Sequence, residues 1–223
     1  MKKIWLSLVL GVCLSSALFG SAEEKLLDSS NALKNMMRDS QIKIPEKVLN
    51  KAQAIAIFPA TIEISMFLGG KTGSGVMVVR RGDGSWSSPF FVKLGGAGFG
   101  FQLGFEKKDI LMIFESTDSV QKLMNNKITL GVDASAAAGP AGASAGKGSE
   151  TDFKAEIYTY VKTEGLFAGV SVDGSVMNHD YDQNIELYGN NITPQQIINS
   201  DGLASSYAIE DFVKTINKLM SSN

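Results

Sequence analysis

The hydrophobic and polar positions of the chain change period twice, which divides it into a helical start, a strand-rich middle and a helical end. In residues 23–53 apolar residues recur at helical spacing, and a break near Pro45 predicts a second short helix after it. From residue 54 to about 176, short apolar runs alternate with glycine-rich turns, as in a sheet. Helical spacing returns in 194–199 and 204–220, so we predict an α+β fold with helices at both ends of the sheet.

Three strand segments have patterns that predict which faces are buried. Residues 76–79 and 110–114 are apolar at both parities, which predicts strands covered on both faces. Residues 154–162 alternate, and we place Tyr158 and Tyr160 on the outward face.

Two further segments interrupt the strands. The run Arg81-Gly82-Asp83-Gly84 has the composition of a hairpin turn. Residues 119–127 predict a short helix capped by a serine.

A glycine-rich aromatic run, PFFVKLGGAGFGFQLGFE at residues 89–106, has aromatic residues at one parity and mostly glycine at the other. A bare strand face indicates sharp curvature or close approach of another element. We therefore predict a glycine-rich, strongly curved antiparallel sheet or barrel-like core. Phe90, Phe99 and Phe101 either fill that core or line an apolar lipid-binding surface, and their alternation favours the core.

The first 22 residues have the pattern of a secretory signal peptide: two lysines, an apolar stretch and small residues up to Ala22. We predict cleavage after Ala22 and a periplasmic protein. A lipoprotein anchor at Cys13 is disfavoured, because Val12 stands where a lipoprotein signal has a small residue.

Removal of residues 1–22 from the 223-residue chain leaves 201 residues, a length that suits one domain. It also removes the only cysteine, so the mature chain has no disulfide. The remaining 19 basic and 23 acidic residues give a formal charge of −4. This balance argues against a nucleic-acid partner, whose phosphates require clustered cations.

Two motifs resemble catalytic signatures. Residues 142–146 match GxSxG around Ser144, but the chain has one histidine, His179, and no apolar helix follows the motif. The Gly146-Lys147 pair lacks the rest of a phosphate-binding loop. We attribute both matches to a tract of small residues.

One segment resembles a metal-binding loop but lacks two of the residues that such a loop requires. Asp180, Asp182 and Asn184 resemble the start of a calcium loop, but Ile185 takes the place of its glycine and Asn191 that of its closing glutamate. We interpret the segment as a capped turn. The sequence therefore predicts no metal, no cofactor and no enzyme activity, and favours a binding protein.

Six ordered motifs resemble the SYLF domain family, from about Pro45 to the end of the 194–199 helix. The family includes eukaryotic actin-binding and Las17-binding proteins and exported lipid-binding proteins of bacteria. The motifs are AIAIFP (54–59), GGKTGSGV (69–76), GSWSSP (84–89) leading into the glycine-aromatic run, LGVD (130–133), AGP (138–140) and GLFAGVS (165–171) followed by Gly174-Ser175.

This resemblance implies one compact β-rich domain with flanking helices that binds lipid through an amphipathic helix and basic patches. We assign it to residues 23–223, with helical parts at 23–53 and 191–223 around a β-rich core at 54–190. The candidate lipid-binding residues are Leu26, Leu33, Lys34, Met36, Met37 and Arg38 on the first helix, and Lys71, Arg80 and Arg81 beside one hairpin strand. Residues 63–66 depart from the family, which has a basic residue after the Phe-Pro pair.

Alternatives remain open for the helix and for the hairpin. The apolar face of the first helix either inserts into lipid or packs on the sheet. The basic hairpin residues either contact headgroups or are simply solvated.

The sequence thus predicts an exported, non-enzymatic lipid-binding protein that contacts phospholipid or a membrane surface. Two alternatives are an envelope scaffolding protein that uses the Tyr158 and Tyr160 face, and a hydrolase that uses Ser144 and His179. No particular protein partner is indicated.

Overall fold

The computed structural model describes residues 21–65, 69–98, 104–139, 155–163 and 174–221. Within these ranges lie six helices and eight strands. The helices are α1 (Ala22–Arg38), α2 (Glu46–Lys51), α3 (Thr117–Asn125), α4 (Tyr181–Tyr188), α5 (Pro194–Asn199) and α6 (Tyr207–Met220). The strands are β1 (Ala54–Ser65), β2 (Gly69–Val79), β3 (Phe90–Gly98), β4 (Gly104–Phe114), β5 (Lys127–Thr129), β6 (Ala136–Ala138), β7 (Ile157–Thr163) and β8 (Val176–His179).

The eight strands form one curled sheet in the order β5-β8-β3-β2-β1-β4-β7-β6. Neighbouring strands are antiparallel except β6 and β7, which are parallel. The predicted α+β class, with a curved glycine-rich sheet flanked by N- and C-terminal helices, is confirmed. The hairpin turn at 81–84 is also present, closed by a bond from the Gly84 N–H to the Arg81 carbonyl (2.9 Å).

Apolar side chains cover both faces of the sheet because its central strands are apolar at both parities. On one face Ile55 and Ile57 pack against α1, α2 and α6. On the other face Ala56 and Phe58 pack against α3 and α5. Residues 76–79 and 110–114 contribute to both cores, as their sequence predicts.

The prediction for Tyr158 and Tyr160 is wrong. Both side chains are buried in the core beneath α1, while Ile157 and Val161 of the same strand are buried on the opposite face. Alternation distinguishes the two faces of a strand, but it does not show that one of them is exposed to solvent. A protein-binding surface built on these two tyrosines is therefore not available in the folded chain.

A one-residue bulge bends β1 where it passes between β2 and β4. The register with β4 shifts between Phe58 and Thr61, and Ala60 has a left-handed backbone with φ of 48°. The Ala60 N–H donates to Asp109 Oδ1 at 2.9 Å. Gly75 of β2 lies against the bulge, where only a residue without a side chain fits.

The segment after β8 begins as the predicted capped turn and continues as α4, a helix that the sequence pattern did not indicate. Asp180 caps this helix by accepting from the Gln183 N–H (3.3 Å), and Lys93 Nζ lies 3.0 Å from Asp180 Oδ1. Asn184 bonds both the N–H (2.8 Å) and the carbonyl (3.1 Å) of Phe91, which ties α4 to β3. Residues 181–188 are therefore helical.

The predicted short helix after β4 is also present, but its bounds and its cap differ. It spans Thr117–Asn125, and Ser116 is its N-cap.

Several predictions concern residues outside the described ranges. They are the leader at 1–20, Phe99 and Phe101, the GxSxG tract at 142–146, the neighbouring Gly146-Lys147 pair and the 165–171 motif. None of the helices that the structure does describe is long and apolar enough to cross a bilayer.

The start of α1 bears on leader cleavage, which remains a prediction. Ser21 accepts from the Glu24 N–H (3.2 Å), and the Ala22 N–H donates to Glu186 Oε1 (3.1 Å). A chain that begins at Glu23 lacks both bonds. We expect it to be less stable than one that begins at Ser21 by about 1 kcal/mol, the usual cost of a lost helix cap. Urea unfolding of the two proteins measures this difference, and equal unfolding free energies would contradict it.

Candidate functional site

Three concave regions meet around the C-terminal end of α1. The first is a cleft of about 640 Å³ between α1, the β1 bulge and the ends of β4 and β7. Its charged lining residues are Arg38, Lys107, Lys162, Asp39 and Asp109. The strained residue Ala60 also lines it, so this cleft lies directly on the bulge.

The second region is a groove of about 450 Å³ beside the connection from α1 to α2. Its apolar lining residues are Met37, Ile42, Ile44, Leu49 and Leu219, and its polar ones are Arg38, Asp39, Ser40 and Lys43. We call it the apolar groove.

The third region is a cleft of about 400 Å³ between α1 and α6. Its lining includes Met37 and the charged residues Lys34, Arg38, Asp211, Lys214 and Lys218. Arg38 lines all three regions and therefore marks their centre.

Positive charge is concentrated on this surface, which we call the basic face. Among the residues that the structure describes, seven cationic side chains line its three regions, against three carboxylates, in a chain whose formal charge is −2. The cations are Lys34, Arg38, Lys43, Lys107, Lys162, Lys214 and Lys218, and the carboxylates are Asp39, Asp109 and Asp211. Such an excess attracts anionic ligands.

The three carboxylates already have partners within the fold. Asp211 accepts from Ser30 and from Lys34, and these hydrogen bonds lower its pKa. Asp39 accepts from the Gln41 N–H and pairs with Lys162 at 3.0 Å, and both contacts lower its pKa. These two carboxylates therefore fix the C-terminal end of α1 and compensate the charges of Lys34 and Lys162.

Four cations of the basic face have no such partner. They are exposed, and none of them has a side-chain ion pair or hydrogen bond with another residue in the described ranges: Arg38, Lys43, Lys107 and Lys214. They are the groups best placed to meet an anion from solution.

The candidate residues on α1 divide into two groups. Lys34, Met37 and Arg38 lie on the basic face. Leu26, Leu33 and Met36 are buried beneath it, with 0, 0 and 1% of their surface exposed. In this conformation the apolar face of α1 packs on the sheet, the alternative that the sequence left open, and these three residues offer no surface to lipid.

Two of the three hairpin cations bond backbone carbonyls of neighbouring elements. Arg81 donates to the carbonyls of Ile198 (2.6 Å) and Ser200 (3.0 Å), and so fixes the end of α5. Arg80 donates to the carbonyl of Asn50 at 3.1 Å. Lys71 lies within β2, opposite Gly96 of β3. None of the three lines the basic face.

Sequence reasoning missed five members of the basic face: Lys43, Lys107, Lys162, Lys214 and Lys218. They come from the α1–α2 connection, β4, β7 and α6, and only tertiary structure brings these elements together. One local signal existed, because Lys214 and Lys218 are four residues apart on one helix and share a face.

His179 lies away from the basic face, buried between the rings of Phe90 and Tyr181. Its Nε2 donates to the Leu123 carbonyl at 2.9 Å. Burial lowers the pKa of His179 below its usual 6.5, although the nearby carbonyls favour the protonated form.

This shift makes stability depend on pH. Because the unfolded chain binds a proton more readily than the folded one, the contribution of His179 is complete above about pH 6.5 and is lost as the pH falls below it. We expect the free energy of unfolding in urea to decrease between pH 7 and pH 5, and His179→Gln to flatten that decrease. An equal slope in the variant would show that other groups cause it.

By fold, the chain is an α+β domain with a curled sheet between two sets of helices. By sequence it belongs to the Ysc84 family, described as "Las17-binding protein actin regulator", whose model matches residues 95–219, more than half of the chain. The resemblance to SYLF domains is thereby confirmed.

Three similar proteins come from eukaryotes. An SH3 domain-containing protein of Schizosaccharomyces pombe is 38% identical over 78% of this chain and 41% of its own length. Protein YSC84 of Saccharomyces cerevisiae is 33% identical over 80% of this chain and 40% of its own. The human SH3 domain-containing YSC84-like protein 1 is 33% identical over 71% of this chain and 46% of its own. This chain therefore spans less than half the length of these three relatives.

Proposed function

We propose that this protein is a non-enzymatic lipid-binding protein that associates peripherally with anionic membranes through its basic face. The observation that carries the proposal is the excess of seven cations over three carboxylates among the described residues around the end of α1. Each cation near an anionic bilayer contributes about 1 kcal/mol of attraction. A few such residues suffice for reversible attachment.

The proposed membrane contact does not require α1 to insert into the bilayer. Arg38, Lys43 and Lys107 meet phosphate groups from solution, while the apolar face of α1 stays in the core. The sheet serves as a rigid base.

The leader makes the cell envelope the proposed place of action. Its pattern predicts export with cleavage after Ala22. In the periplasm the proposed ligands are the anionic phospholipids of the surrounding membranes.

Vesicle flotation tests the proposal. The protein produced from Ser21 is mixed with vesicles of phosphatidylcholine alone or with phosphatidylglycerol added. We expect binding to the anionic vesicles only, and we expect it to weaken as salt is raised, because screening shortens the reach of surface charge. Equal binding to both vesicles, or binding to neither, would contradict the proposal.

A protein-interaction function is the second candidate, and exposed apolar side chains favour it. Tyr181 and Ile185 lie one turn apart on α4, with 58 and 41% of their surface exposed. The description of the family as Las17-binding also denotes a protein partner. A stoichiometric complex with a purified envelope protein that is lost in Tyr181→Ser/Ile185→Ser, together with no vesicle binding, would favour this function.

A further inference from the structure

The apolar groove has the shape and chemistry to hold a single acyl chain. Its floor is formed by Ile42, Leu49 and Leu219, which belong to the core beneath α1 and are 3–5% exposed. Its walls include Met37 and Ile44, which are only partly buried. A volume of about 450 Å³ lies within the usual range of small-molecule sites, roughly 300–1,000 Å³.

The rim of the groove is positive because Asp39, the one carboxylate among its described lining residues, already has a cationic partner. Asp39 pairs with Lys162 at 3.0 Å and accepts from the Gln41 N–H at 3.0 Å. Arg38 and Lys43, by contrast, have no ion pair with any described residue. The guanidinium of Arg38 suits a carboxylate or a phosphate, since it donates two parallel hydrogen bonds to either.

From these features we propose that the apolar groove binds a single-chain anionic amphiphile, with its acyl chain against Met37 and Ile44 and its head group at Arg38 and Lys43. This rests on the proposed function and adds to it a specific ligand site, distinct from attraction to a charged surface. The head group is a carboxylate in a fatty acid or a phosphate in a lysophospholipid.

The site predicts three properties of binding. Binding saturates at one ligand per chain, because only one of the three described regions of the basic face is the apolar groove. It requires the negative head group, because the rim carries uncompensated cations. It depends on the apolar wall, whereas attraction to a vesicle surface depends on charge.

Isothermal titration below the micelle concentration tests these properties with myristate, myristoyl lysophosphatidylglycerol and the uncharged amphiphile monomyristoylglycerol. The groove variant is Met37→Gln/Ile44→Gln. The control is Ile185→Gln/Leu203→Gln, which makes the same uncharged changes at exposed apolar positions outside the groove. Urea unfolding and circular dichroism establish that each variant is folded.

We expect one anionic ligand per chain, at least tenfold weaker binding in the groove variant and unchanged binding in the control. Comparison of myristate with the lysolipid shows whether the groove prefers a carboxylate or a phosphate head group. Tight binding of either ligand supports the site. Equal affinity for the uncharged amphiphile, or equal affinity in both variants, would overturn it.

The same variants separate this proposal from the function on which it rests. The groove variant keeps its charges, so we expect its flotation with anionic vesicles to stay within about twofold of the unmodified protein. If the unmodified protein floats with vesicles but binds neither anionic amphiphile, the groove site is wrong and surface binding stands. If it neither floats nor binds amphiphile, both proposals fail.

Discussion

Charge reversal at the centre of the basic face is expected to abolish most membrane binding. In Arg38→Glu/Lys107→Glu two exposed cations become carboxylates at positions with no ion pair to a described residue, so the fold should tolerate the change. Loss of two attractive charges alone costs about 2 kcal/mol of membrane affinity, a factor of about 30. The new repulsion adds to this loss. Vesicle flotation at low salt measures it.

The matched control makes the same change in net charge elsewhere. Lys25 lies near the start of α1, about 20 Å from Arg38 along the helix, and Lys127 lies on the outermost strand β5. We expect Lys25→Glu/Lys127→Glu to bind vesicles within about threefold of the unmodified protein. An equal loss in both double variants would mean that net charge, and not the basic face, determines binding.

Alanine at Gly75 is expected to destabilise the sheet strongly. A methyl group there would lie against the backbone carbonyl oxygen of Ile57 and 2.5 Å from ring carbon Cδ1 of Phe58. Neither neighbour can move away easily, because both belong to the buried part of β1 beside the bulge. We expect a loss of about 3 kcal/mol in the free energy of unfolding, the upper end of overpacking costs.

Gly95 provides the control for this substitution. It also lies in a central strand, β3, but a methyl group added to it would meet no atom within 4 Å. We therefore expect Gly95→Ala to change the free energy of unfolding by less than about 1 kcal/mol. Urea denaturation of both variants gives the comparison, and equal effects would contradict this account of the bulge.

The fold was predictable because its local signals agree with its tertiary structure. The helix at 194–199 has the predicted bounds, with Thr193 in a capping box. The strands at 76–79 and 110–114 are buried on both faces, as two-sided apolar patterns indicate. Helix α4 was missed because its short segment places polar residues such as Asn184 inward, where they bond a strand.

The site was less predictable because one pattern has two physical outcomes. An apolar stripe on α1 suits a bilayer and a protein core equally well. The local sequence of α1 does not show that the sheet covers Leu26 and Leu33 in the fold. Lys107 and Lys162 reach the site from different strands, so no local motif links them to Arg38. Arg81 resembles a headgroup contact in sequence, but in the fold it bonds the end of α5.

The central claim is that the protein binds membranes with α1 seated on its sheet. A disulfide between α1 and α6 tests this directly. The hydroxyl oxygens of Ser30 and Thr215 are 2.9 Å apart and buried, and no native cysteine follows Cys13. Ser30→Cys/Thr215→Cys in a chain from Ser21 therefore permits a single crosslink that holds α1 in place.

The measurement is flotation of this variant with anionic vesicles, oxidised and after reduction. We expect equal binding in both states, at the level of the unmodified protein, because Arg38, Lys43 and Lys107 stay exposed when α1 is locked. Loss of binding on oxidation with recovery on reduction would contradict the account, since it would mean that α1 must leave the sheet and present Leu26, Leu33 and Met36 to lipid.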